Sequence, residues 1–153
     1  MMDSSVDGWR HTNVGRLLNN AVTHFEARVF QLLDDAGYSQ VRISHIGLTR
    51  NLDRSGTRVT ELARRANMTK QGMSELIGQC ELVGLVERAP DPTDGRAKIV
   101  RFTQHGLEWL QAFKSATQQA ELEMRQELGT LCVDGLCAAL KTYAESADPL
   151  QRG

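Results

Sequence analysis

The chain has 153 residues, 41% of them hydrophobic and 24% charged, enough for an ordinary globular core without disulfide staples. Eighteen Lys and Arg against nineteen Asp and Glu leave a net charge of −1, which excludes a uniformly basic nucleic-acid binder and an acidic disordered tail. Three cysteines, a polar start and no apolar run near the roughly 18 residues of a membrane span lead us to expect a soluble cytoplasmic protein without a membrane partner.

The charge is uneven along the chain. Residues 55–105 carry eight positive and six negative groups, whereas residues 106–153 carry four and seven. That excess hints at an anionic partner for the middle third.

Residues 1–8 read as a frayed end. Over residues 13–36 the apolar positions Val14, Leu17, Leu18, Ala21, Val22, Phe25, Val29, Leu32 and Leu33 recur at helical spacing, and Gly37 supplies a stop. A second helix is expected over 39–52, with Val41, Ile43, Ile46, Leu48 and Leu52 on its apolar face. Asp53 to Gly56 makes a turn. A short helix follows over 61–66 with Thr60 as its N-cap, then a tight junction at Asn67-Met68. Thr69 caps a further helix over 70–83 whose stripe is Met73, Leu76, Ile77, Cys80 and Val83. Two short helices joined this way form a helix-turn-helix.

Short β-rich runs at 85–88 and 98–102 flank a stretch with two prolines and an Asp-Gly pair, so residues 89–97 are expected to form a hairpin loop. A hairpin directly after a helix-turn-helix is a wing. Two more helices are expected over 104–128, with Leu107, Leu110, Phe113, Thr117, Ala120, Met124 and Leu128 on one face, and over 133–147, with Val133, Leu136, Cys137, Leu140 and Tyr143. Residues 148–153 read as a second frayed end. Long amphipathic helices at both ends of the chain need a surface to bury against, and a homodimer supplies one. The expected fold is therefore mainly α with a small β-hairpin wing, in one domain of residues 1–153. It comprises a winged helix-turn-helix over 57–106 and dimerisation helices over 9–52 and 107–147.

The run Thr60-Glu61-Leu62-Ala63, then Met68-Thr69-Lys70-Gln71-Gly72-Met73-Ser74, then Gly84-Leu85-Val86-Glu87-Arg88, closes with Asp91-Pro92-Thr93-Asp94-Gly95-Arg96 and Phe102-Thr103-Gln104-His105-Gly106. It resembles the MarR family of bacterial winged helix-turn-helix transcription regulators. The resemblance implies a homodimer that binds palindromic double-stranded DNA as a repressor and releases it when a small aromatic or phenolic effector binds. It implies no enzymatic activity and no cofactor. A winged helix can also serve protein–protein contact without DNA, which is the alternative reading.

Candidate residues follow from chemistry. On the outer face of the helix at 70–83, Gln71 can bond adjacent base-edge groups and Ser74 a base or phosphate. Thr69 and Lys70 sit where free N–H groups favour a phosphate. Arg96, at the hairpin tip, can enter a minor groove, with Asp94 orienting its guanidinium fork. Arg88 and Lys98 at the wing base are phosphate contacts or hairpin pairs, and Arg64 and Arg65 either touch the DNA backbone or lie in solvent. Asp91, Asp94 and His105 could be imagined as an acid/base set, but a hairpin offers no enclosed pocket. Cys80 belongs to the core stripe, and Cys132 and Cys137 are poorly spaced for a metal chelate. The histidines, His11, His24, His45 and His105, lack metal-ligand spacing, so no metal is expected. The resemblance implies an effector pocket near the two N-terminal helices, where Arg16, His24 and His45 are the candidates, with Trp9 and Trp109 as possible walls.

Overall fold

The computed structural model describes residues 4–146. The described residues divide into two compact units, the first up to Ala116 and the second from Thr117 onward. In the first unit, α1 (Ser4–Thr12) precedes α2 (Val14–Asp35). A 3₁₀ turn, Ile43–His45, then runs into the short α3 (Ile46–Thr49). Next come β1 (Thr57–Arg58), α4 (Val59–Arg65), α5 (Lys70–Leu82), β2 (Val86–Asp91) and β3 (Asp94–Phe102). The helix α6 (Gln104–Leu128) carries the chain into the second unit, and α7 (Thr130–Glu145) follows Gly129.

The predicted boundaries of α2, α5 and α6 hold to within a residue, and for α2 and α5 the cap is local, whereas α7 starts at Thr130, three residues before its expected start. Asn13 caps α2, its side chain accepting from the Arg16 N–H, and Thr69 caps α5, accepting from Gly72 N–H. Asn67 turns the chain between α4 and α5 at φ 52°, a left-handed value that Asn tolerates better than most residues. Met73, Ile77 and Cys80 are fully buried, as the stripe predicts.

Four expectations are corrected. Residues 4–12, the first five of them read as part of a frayed end, form α1. The helix expected over 39–52 shrinks to the 3₁₀ turn and α3, because Arg42 is extended (φ −104°, ψ 161°) and its N–H donates to His45 Nδ1 at 2.8 Å. Val41 is buried from outside any helix instead. Thr60 is not a cap: α4 starts at Val59, two residues earlier than expected, and Arg58 stands at its N-cap without a capping side-chain bond. Residues 89–97 are not a long loop. β2 and β3 run on through it, pairing Ala89 with Ile99, Pro90 with Lys98 and Asp91 with Asp94, with an irregularity between Pro90 and Asp91. Only Pro92 and Thr93 lie between the strands.

The sheet has the order β1-β3-β2, all antiparallel, with Thr57 opposite Val100. The sequence pattern did not reveal β1, which is two residues long. Leu62, Leu85 and Val100 are completely buried around it. Strand β3 passes to α6 through Thr103 alone. Thr103 N–H donates to the Leu85 carbonyl, its hydroxyl donates to Gly84 O, and the same hydroxyl accepts from Gly106 N–H at 2.9 Å. A Cβ on Gly106 would lie 1.9 Å from the Leu85 oxygen, so only glycine lets α6 approach this closely.

Within α6, Trp109 is core rather than a pocket wall: it is 1% exposed and stacks on Phe113, ring centroids 5.1 Å apart. In the second unit, Ala120 and Val133 are buried, and Arg125 binds Glu121 and Asp134 at 2.9 and 2.7 Å. Most of α7 is open. Leu131, Leu136, Leu140 and Tyr143 are all exposed, and so are Cys132 and Cys137. In the first unit the start of the chain shows the same feature at Trp9, Val14, Leu17 and Val22. Residues 147–153 lie outside the described residues.

Candidate nucleic-acid interface

The predicted contact residues sit on α4, α5 and the β2–β3 hairpin, and the structure sorts them by whether their charge is already engaged. Glu61 gathers both helix-turn-helix arginines. Arg64 donates to its two oxygens at 2.9 and 2.7 Å, and Arg65 Nε donates to Oε1 at 2.9 Å. The Arg64 and Arg65 bonds hold the Glu61 carboxyl down at about 2, and both guanidinium groups are raised in turn. Arg65 also donates to the Asn51 carbonyl and pairs with Asp53 at 3.0 Å. Arg65 therefore ties α4 to the preceding turn, whereas the Arg64 bonds stay within the helix.

Arg88 is engaged too. It bonds Glu81 at 2.6 Å and the Ser74 carbonyl at 3.3 Å, which pins β2 to α5. Arg101 pairs across the hairpin with Glu87, its register partner, at 2.8 Å. Arg58 donates to Asp91 Oδ2 at 2.7 Å.

Lys70, Arg96 and Lys98 differ. Among the described residues their side chains have no carboxylate partner, and all three are exposed. Gln71 is exposed beside Lys70, and Ser74 is half-buried one turn further along α5. The Thr69 hydroxyl accepts the Gly72 N–H, so its first task is the cap. Asp94 does not clasp the Arg96 guanidinium. Its Oδ1 accepts from the backbone N–H of Arg96 at 3.1 Å, shaping the turn and leaving the fork open.

The imagined acid/base set is spent on structure. Asp91 accepts from the Thr93 N–H and hydroxyl as well as Arg58, and the Thr93 bonds, ahead of Arg58, hold its carboxyl at about 2. His105 stacks against Tyr38, ring centroids 5.7 Å apart. Cys80 is buried, and desolvation pushes its thiol up to about 12, which keeps it protonated and unreactive. Among the described residues no three His, Cys, Asp or Glu side chains are grouped to hold a metal ion.

The predicted effector residues do not share one pocket. Arg16 lines a groove of about 330 Å³ at the α1–α2 elbow with Trp9, Arg10, Asn13 and Asn19. A second groove, about 320 Å³, runs between α2 and the 39–43 segment and is lined by Glu26, Phe30, Asp34, Val41 and Ile43, among others. Neither His24 nor His45 lines either groove. His45 is buried, and its ring accepts the Arg42 N–H; desolvation lowers its pKa, so it is held neutral as a structural cap.

A helix-turn-helix followed at once by a hairpin and bounded by a short third strand defines a winged helix-turn-helix protein. Residues 43–97 match the MarR family, so the resemblance carried by the motifs in this segment is borne out. A MarR-family transcriptional regulator from Rhodococcus sp. RHA1 is 19% identical, covers 94% of this chain and 96% of its own, and superposes with a TM-score of 0.66. Wild-type MarR from E. coli, in its apo form, is 20% identical over 86% of this chain and 96% of its own, with a TM-score of 0.66. CouR from Rhodococcus jostii RHA1, solved with p-coumaroyl-CoA bound, is 20% identical over 87% of this chain and 92% of its own, again at 0.66. No curated protein matches the sequence. The chain has the winged-helix fold of the MarR transcription regulators. Among the described residues no helix is long and apolar enough to cross a membrane.

Proposed function

We propose that this protein is a homodimeric, sequence-specific regulator of transcription that binds palindromic double-stranded DNA, most simply as a repressor. The observation that carries the reading is the sorting of charge. Of the eight basic residues in the winged segment, Arg58, Arg64, Arg65, Arg88 and Arg101 are matched to carboxylates. The uncommitted three, Lys70, Arg96 and Lys98, lie at the start of α5 and on β3, where a duplex would meet a winged helix. α5 enters the major groove with Gln71 and Ser74 on base edges and Lys70 on phosphate. Arg96 enters the flanking minor groove.

A second copy of the chain would cover the apolar side chains left open on α1, α2 and α7. Residues 9–52 and 107–147 then serve dimerisation, and 57–106 read DNA. An acidic aromatic effector fits the elbow groove, where Trp9 offers a ring face and Arg16 a guanidinium; the p-coumaroyl-CoA bound to CouR is a precedent for ligand binding in this fold. Its binding shifts the spacing of the two reading heads and releases DNA.

Selection of bound sequences from random duplex DNA tests the reading. An enriched palindrome with half-sites about one helical turn apart is expected. Arg96→Ala should weaken binding to that site by about 1–3 kcal/mol without changing the thermal midpoint. Failure to enrich any palindrome sinks the proposal.

A further inference from the structure

Arg58 occupies a place where a different residue type is usual. It is the N-cap of α4, extended at φ −67° and ψ 147°, and makes no side-chain cap. Ser, Thr, Asp or Asn would offer an acceptor to the orphan N–H groups there; arginine has none to offer. Its side chain is committed to the wing instead. Nε donates to Asp91 Oδ2 at 2.7 Å, and a terminal nitrogen lies 3.9 Å from Asp94 Oδ2.

Those two aspartates shape the hairpin tip. Asp91 is 7% exposed, and its other oxygen accepts the Thr93 N–H and hydroxyl at 2.8 and 2.7 Å. Asp94 holds the backbone of Arg96. The ladder between the strands is weakest in the same place. Pro90 has no N–H to donate, and the register shifts between Pro90 and Asp91. One guanidinium on the short edge strand thus supports the part of the hairpin that its own ladder supports least.

We propose that Arg58 is a positioning residue: a latch that fixes the wing tip, and with it the reach of Arg96, at the expense of a capped α4. The role of the latch in DNA recognition rests on the function proposed above; the latch itself does not.

The decisive variant is Arg58→Thr in the full chain, which restores a capping side chain and removes the latch. The thermal midpoint should hold or rise. Amide hydrogen exchange of the free protein should accelerate about tenfold or more across residues 93–97 and stay unchanged in α5. Affinity for the selected site should fall about tenfold, and adding Arg58→Thr to Arg96→Ala should cost little more, since both act through one contact. Asp91→Asn separates the latch from a direct phosphate contact by Arg58. It leaves Arg58 in place and makes the protein more positive, so a phosphate contact predicts tighter binding, whereas the latch predicts weaker binding. Unchanged wing exchange in Arg58→Thr overturns the latch whether or not DNA is bound. Faster wing exchange with DNA affinity unchanged, or tightened by Asp91→Asn, overturns the positioning role. Faster exchange in a protein that selects no DNA sequence supports the latch and counts against the DNA-binding reading alone.

Discussion

Between Thr57 and Phe102, most large apolar side chains are shut away, Leu82 and Met68 excepted, and nearly every arginine has a carboxylate. Leu62, Met73, Ile77, Leu85 and Val100 have no exposed surface at all. In the second unit, residues 117–146 are the reverse. Leu131 is 87% exposed and Tyr143 73%, Leu136 and Leu140 are open, and of the large side chains in α7 only Val133 is buried. Leu82 aside, the first region buries its own core and pairs most of its charges within the single chain. The second leaves apolar area in water that folding alone does not remove, at a cost of roughly 25 cal/mol per Å². It is the surface that the proposed second copy would cover.

The largest expected effect would break that contrast at its open end. Leu136→Glu with Leu140→Glu puts two charges per chain into the surface proposed to be covered by a second copy. Each lost leucine burial is worth about 1.5–3 kcal/mol, so the dimer dissociation constant should rise by roughly a thousandfold or more. Sedimentation velocity should show monomers at micromolar concentration with helical content retained. A dimer that persists would mean α7 is not the interface.

Gly106→Ala attacks the closed end. The added Cβ would sit within 1.9 Å of the Leu85 oxygen, a backbone atom that cannot swing aside. A loss of about 1–3 kcal/mol in urea unfolding is expected, with the dimer intact. An unchanged midpoint would show that the strand-to-helix junction is softer than its packing indicates.

The smallest effect concerns His45. Its folded-state pKa is lowered below the ordinary 6.5, chiefly by burial, so the unfolded chain takes up the proton first. The stability that His45 contributes as a neutral cap is fully present above pH 6.5 and is lost as pH falls through its folded value. His45→Asn keeps an acceptor for the Arg42 N–H and removes the titration. Unfolding curves at pH 7.5 and 5.0 should converge for this variant relative to wild type; parallel behaviour would assign the acid sensitivity elsewhere.

These residues also show what the sequence could disclose. The helices α2, α5 and α6 were legible because period and cap lie within a few residues of each other, as at Asn13 and Thr69. The 39–52 segment misled because Val41, Ile43 and Ile46 mimic a helical face, while its start is decided by one ring nitrogen of His45. The helix α1 was missed since Ser4 to Thr12 offers only Val6 and Trp9 as apolar residues to announce it. At the candidate interface, the exposed positions of Lys70, Gln71, Arg96 and Lys98 followed from pattern alone. The commitments of Arg64, Arg65 and Arg88 did not, because each depends on a geometry that no local period records. Arg58 and Asp91 are separated by 33 positions in the chain and gave no signal until folding joined them.

The junction at Thr103 has a mechanical consequence. With one residue between β3 and α6, locked by bonds to Gly84, Leu85 and Gly106, there is no slack to absorb a rotation. A tilt of the first turns of α6 must appear at once as a swing of the strand that carries Arg96 and Lys98. The hairpin is the short arm of a lever whose long arm is a helix, and its fulcrum is a threonine and a glycine.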